Sequence, residues 1–116
     1  MEDKEIRNFI SKELENLEFK RYTKGFKYLN EAILLCIKDI DLLDNLNKNV
    51  FSKIAEAYNE KSLYNVKWCI EQVIKTMYNN TPISTLCDYF KIEENIKPSL
   101  KFIIYTIVCK YNRTYC

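Results

Sequence analysis

The sequence has no histidine, one glycine, two prolines, one tryptophan and only three arginines, Arg7, Arg21 and Arg113, in 116 residues. Without histidine a zinc site has almost no ligands to draw on. The five cysteines (Cys36, Cys69, Cys87, Cys109 and Cys116) are odd in number, lie far apart and never form a C-x-x-C pair. They read as reduced thiols. Cys36, Cys69 and Cys109 fall in apolar runs where a thiol acts as a small hydrophobe, and Cys116 could cross-link in vitro. So little glycine and proline leaves too few tight turns for a sheet protein, and it excludes a glycine-rich phosphate loop. No nucleophile stands beside a plausible base, and Glu93-Glu94 sits in a polar stretch where solvation is the ordinary explanation. The expectation is therefore a non-enzyme with no cofactor and no small-molecule substrate. No apolar run approaches the length of a membrane span, and the charged start MEDKEIRNF lacks a signal core. A cytoplasmic protein with no membrane partner is expected.

What the chain does have is 47% hydrophobic and 29% charged residues, a globular balance, at a length suited to one core. Lys and Arg at 18 nearly cancel Asp and Glu at 16, so the net +2 does not by itself identify a polyanion partner. Apolar residues recur at helical spacing along the chain. Ile6, Phe9, Ile10, Leu14 and Leu17 predict a helix over 3–18, and EFKRYTKG, with Gly25, predicts a loop. A central helix from Phe26 to about Leu43 is apolar over more than half its circumference and includes Ile40. Val50, Phe51, Ile54, Ala55 and Tyr58 predict a short helix ending near Asn59. Ser62 is placed to cap a longer helix carrying Val66, Cys69, Ile70, Val73, Ile74 and Met77. Pro82 opens another, with Ile83, Leu86, Cys87 and Phe90 expected inward, and a last helix begins near Pro98. The fold class is all-α, about six helices in one compact bundle, with residues 1–116 as a single domain.

Residues 48–78 combine a short helix, a polar turn and a longer helix, with small Ala55 where the two must approach. That is helix-turn-helix patterning, with a recognition-type helix at about 63–78. At 100° per residue, Val66, Cys69, Ile70, Val73 and Met77 share one side, leaving Tyr64, Trp68, Glu71 and Lys75 as a stripe on the other. The only tryptophan should therefore face solvent, beside Asn65, Lys67 and Gln72, which offer donors to phosphates or base edges. The alternative is that Trp68 packs beneath a terminal helix and completes the core. Lys61 and Ser62 begin the same segment, and a second basic cluster, Lys20, Arg21, Lys24 and Lys27, surrounds the loop before the central helix.

The run KGFKYLNEAILLCIKDIDLL, followed by KIAEAYN and VKWCIEQVI, resembles the C-terminal DNA-binding effector domain of the master sporulation response regulator of endospore-forming bacteria. The similarity runs from about Ile10 to Tyr111. Its most specific pieces are Lys24-Gly25, Tyr28-Leu29, Glu31-Ala32-Ile33, Asp39-Ile40, Leu42-Leu43 and Ile54-Ala55, with Asn59 closing the first helix of the pair. The resemblance implies a six-helix bundle that binds DNA through a helix-turn-helix. Where that family is rich in arginine along the recognition helix, the matching positions here are Asn65, Trp68 and Glu71, so bidentate guanine contacts are missing. The turn between Asn59 and Val66 is also one residue longer than the family pattern. With the chain starting almost at the effector region, no phosphate-accepting receiver domain is expected ahead of it.

Two functions follow. The first is a small stand-alone transcriptional regulator of double-stranded DNA, with Tyr64, Asn65, Trp68 and Gln72 in the major groove and Lys61, Lys67, Lys75 and Lys24 on phosphates. The second is a protein interaction module or antagonist that keeps the fold but has lost readout; Glu71 among the recognition positions favours it, and Trp68 would then anchor a protein interface, such as a related regulator. The last helix, through Ile103, Ile104, Ile107 and Val108, offers apolar surface for a homodimer.

Overall fold

In the computed structural model, which describes residues 2–115, the chain is all-α. Helix α1 spans Asp3–Asn16 and buries Ile6, Ile10 and Leu14. It stops where Glu18 takes a left-handed backbone (φ 62°), which lets the Phe19 N–H return 3.0 Å to the Leu14 carbonyl and turns Leu17 and Phe19 inward.

Helix α2, Lys24–Lys38, is the central element and packs against α1, α4 and α6. It begins earlier than the sequence suggests. Thr23 Oγ1 caps it, accepting the Phe26 N–H at 3.1 Å, so Gly25 lies in the first helical turn rather than in a loop. The glycine is there because of a neighbour. A Cβ at this position would stand 2.2 Å from the Cys69 carbonyl oxygen and 2.5 Å from Val73 Cγ1, so only a hydrogen permits the contact with α4.

The central helix also ends earlier than expected, at Lys38 rather than Leu43. Asp39 leaves helical geometry (φ −152°, ψ 98°), and its Oδ1 accepts the Asp41 N–H at 3.1 Å, starting a 3₁₀ segment over Ile40–Asn45. Ile40 consequently lies at the surface, 44% exposed, instead of in the core.

A π turn at Asn47–Phe51 leads into α3, Ser52–Ala57, and a turn leads to α4, Leu63–Asn80. Asn59 closes α3 with a left-handed φ of 57°, as the Glu60 N–H bonds the Ala55 carbonyl at 2.9 Å. Ser62 takes the N-cap position in extended geometry, but its hydroxyl makes no capping bond; its carbonyl accepts the Asn65 N–H. The α3–turn–α4 unit is consistent with a helix-turn-helix.

Helix α5 spans Ile83–Phe90 and α6 spans Leu100–Tyr115. Leu86 and Phe90 face inward as expected, whereas Ile83, at the first helical position, is 59% exposed. Ile103, Ile104, Ile107 and Val108 are fully enclosed by their own chain. The apolar surface expected there for self-association is used inside the molecule, and the large hydrophobic side chains that α6 leaves outside are Phe102, Tyr105 and Tyr115.

One continuous cluster of buried side chains joins α1 through α6. Cys36 belongs to it, and burial pushes its thiol up to about 11, out of the reactive range. Cys36, Cys69, Cys87 and Cys109 are all free thiols; Cys116 lies outside the described residues.

Gly25→Ala should destabilise the fold by about 2 kcal/mol or more, because the atom it meets is a backbone carbonyl and the two helices must separate to admit a methyl. Urea denaturation measures it. A loss under about 0.5 kcal/mol, the scale of an ordinary surface change, would refute the close approach.

Candidate nucleic-acid interface

Helix α4 is held on two sides, by α2 and by α3 with the π turn before it. Val66, Ile70, Val73, Ile74 and Met77 are buried against them. With that face fixed, helical geometry sends the opposite stripe outward: Tyr64 is 65% and Trp68 61% exposed, and Asn65, Glu71, Gln72 and Lys75 are also at the surface. The tryptophan does not complete the core. Two large aromatic rings are thus left bare on a polar helix face.

The ten residues singled out from sequence fall into distinct positions around α4. Trp68 and Gln72 line a shallow groove with Lys24, at the start of α2, and with Thr23 and Thr76. Lys67 and Glu71 line a different depression, on the opposite flank, with Asn45, Asn47 and Lys101. Tyr64, Asn65 and Lys75 stand exposed on the outward face. Lys61, exposed, and Ser62, half-buried, belong to the turn that precedes the helix. Sequence reading did not find Thr23, Thr76 or Lys101. For Lys101 no local signal exists, since only the packed bundle brings the start of α6 beside α4.

The second basic cluster does not act as a unit. Lys24 reaches the α4 groove, whereas Arg21 bonds Glu15 at 2.5 Å and the Lys27 ammonium lies 4.2 Å over the Tyr58 ring. Arg21 and Lys27 both line a separate cavity between α1 and α2.

The direction in which α4 leaves α3 is set by contacts from the turn back to α2. The Tyr28 hydroxyl donates to Glu60, and Lys24 Nζ lies 3.5 Å from the same carboxylate. Beside it, the Tyr58 hydroxyl donates to Glu31 Oε1 at 3.3 Å, while Arg7 Nε holds that oxygen at 2.8 Å. The phenol's hydrogen bond, helped by Lys24, holds the Glu60 carboxyl below the usual carboxylate range; burial and the Glu60 charge push the Tyr28 phenol up. Burial raises the Cys69 thiol in the groove, and the Glu60 charge adds to that shift, so it is not a reactive nucleophile.

A carboxyl depressed by folding contributes stability that is complete above its ordinary range and is lost as pH falls through its folded value. In Tyr28→Phe the donor is gone, so Glu60 should titrate closer to the ordinary range and this acid-side loss should shrink. Carboxyl-detected NMR titration reads the midpoint directly. An unmoved midpoint would show that the phenol is not what holds Glu60.

Among the described residues, no cluster of His, Cys, Asp and Glu could hold a metal ion, and no helix is long and apolar enough to cross a membrane. No curated protein matches the chain. The family model described as sporulation initiation factor Spo0A C terminal matches residues 10–110. This is a family of DNA-binding domains rather than of enzymes. The match takes in α2 to α5 whole, the second half of α1 and most of α6. With the all-α architecture and the outward-facing α4, it shows that the chain belongs to the Spo0A C-terminal family of DNA-binding effector domains of sporulation regulators.

Proposed function

We propose that this chain acts as a transcriptional regulator that lays the outer face of α4 in the major groove of double-stranded DNA. The observation that carries the reading is Trp68, most of its surface in solvent at mid-helix and next to exposed Tyr64. Asn65 and Gln72 supply the side-chain amides that pair with adenine, and Trp68 and Tyr64 give apolar contact to thymine methyls. Glu71 is an acceptor suited to the amino group of cytosine. With no arginine on α4, bidentate guanine contacts are not part of this readout. Lys61, Lys67, Lys75 and Lys24 contact phosphates, and the Ser62 hydroxyl, which makes no capping bond, is a further donor to one.

Glu71 also favours a second reading, a protein interaction module. It sits one helical turn from both Lys67 and Lys75 and weakens the attraction of that stripe for phosphate. In that case Trp68 anchors a related regulator instead of DNA.

Fluorescence anisotropy against genomic fragments at two salt concentrations tests the proposal. Four lysine contacts predict a slope of log K against log salt of roughly −3 to −4. The double charge reversal Lys67→Glu, Lys75→Glu should abolish binding, and Trp68→Ala should weaken it by about tenfold or more. No salt-sensitive binding to any duplex would defeat the regulator reading. Capture of a related regulator that survives the charge reversal and fails in Trp68→Ala would establish the interaction module in its place.

A further inference from the structure

Two neighbouring faces of the molecule leave large apolar side chains in solvent. The first is the outer face of α4, where Tyr64 and Trp68 stand among Lys67 and Lys75. The second is a groove of about 250 Å³ between the 3₁₀ segment and α6, lined by buried Leu43 and by the exposed rings of Phe102 and Tyr105. Ile40 extends the groove. In a 3₁₀ helix residues three apart eclipse, so exposed Ile40 stands in register with Leu43, and Asp41 stands in register with Asp44 along the adjoining edge. A depression lined by Asp44, Lys67, Glu71 and Lys101 separates the two faces and shares Leu43 and Lys101 with the groove. Both faces therefore open on the same side of the protein.

The faces are opposite in sign. Asp41, Asp44, Lys67 and Lys75 enter no ion pair with one another or with any other described residue. Groove against groove would press Asp41 and Asp44 on their own copies, and α4 against α4 would do the same with Lys67 and Lys75. Only the crossed arrangement joins unlike charges while it covers the aromatic rings of both faces. The two residues of reversed sign, Glu71 on α4 and Lys101 on the groove, are complementary in that same crossing. Because the faces are neighbours, a two-fold axis through the depression makes both crossed contacts at once. Such an interface closes on itself and leaves neither face bare.

We propose that two copies of this chain form a symmetric dimer, the Tyr64 and Trp68 face of each α4 seated on the Leu43, Phe102 and Tyr105 groove of the other copy. This dimer covers the surface assigned above to DNA, so it is a self-masked form that duplex DNA has to open. The masking rests on the DNA reading of α4; the dimer does not.

Sedimentation velocity of the full chain without DNA, from about 5 to about 500 µM, tests the dimer first. Mass should rise from monomer to dimer with concentration and fall again at high salt, and emission from Trp68, the single indole, should move to shorter wavelength as the dimer forms. The double variant Asp41→Lys, Asp44→Lys should weaken association by about tenfold or more, and so should Lys67→Glu, Lys75→Glu. Mixing these two variants should restore a dimer, since each α4 then meets a groove of opposite sign. All four positions lie on the surface, and circular dichroism checks that the variants fold. A chain that stays monomeric throughout overturns the proposal and leaves the groove to a different partner. So does a dimer unaffected by either charge reversal, or a mixture of the two variants that remains monomeric. Duplex DNA added to the dimer should release monomers onto the duplex. A dimer that binds duplex intact overturns the masking, whereas a chain that binds no duplex defeats the regulator reading and leaves the sedimentation result standing.

Discussion

The contact on which the rest of this structure depends is the approach of α2 to α4 at Gly25. A residue with any side chain there would press on the Cys69 carbonyl and on Val73, so the two helices meet at backbone distance. Close contact leaves α4 little freedom to roll about its own axis, since rolling would drive Cys69 or Val73 into α2. The roll of α4 in turn decides which residues are offered to solvent. Trp68 is outward because Gly25 is small, though the two belong to different helices.

A second constraint governs direction rather than roll. The turn between α3 and α4 is tied to α2 through Tyr28 to Glu60 and through Tyr58 to Glu31, with Arg7 of α1 closing the second set. The charges in this network lie near the surface and contribute modestly one by one. Their effect is geometric. They fix where the left-handed Asn59 sends the chain, so the turn before Val66 is seated against α2.

Much of this could be read in the sequence, because helical periodicity is a local property. The run Val66, Ile70, Val73 and Met77 names the buried side of α4 without any knowledge of its neighbours, and Trp68 follows as outward by geometry. The departures share one cause, which is that the deciding partner is distant in sequence or the deciding bond competes with the helix. Gly25 looks like loop punctuation until Cys69 is set against it. Asp39 sits in an apolar period that would continue to Leu43, but its carboxylate caps the next segment and ends the helix. The cluster of Lys20, Arg21, Lys24 and Lys27 looks like one patch in a line of text. A helix starting at Lys24 distributes it over different faces. Asn30, a polar residue in an apolar run, gave no signal at all, because its meaning lies in the contacts it makes to α1.

The net charge of +2 is a poor guide to the electrostatics of α4, because it sums over charges that are already neutralised in place. Arg7, Arg21, Lys24, Lys38 and Lys110 are each paired with a carboxylate in the folded chain. Those pairs join α1 to α2 and α6 and bind both ends of α2; none uses a lysine of α4. Removing matched charges from the account leaves the local balance on α4, where Lys67 and Lys75 stand against Glu71, with Lys61 at the approach to the helix. That is a weakly positive face with aromatic rings at its centre. A surface of this kind attracts DNA only weakly at long range, so the proposed reading assigns the larger share of a specific complex to close contact by Trp68, Asn65 and Gln72.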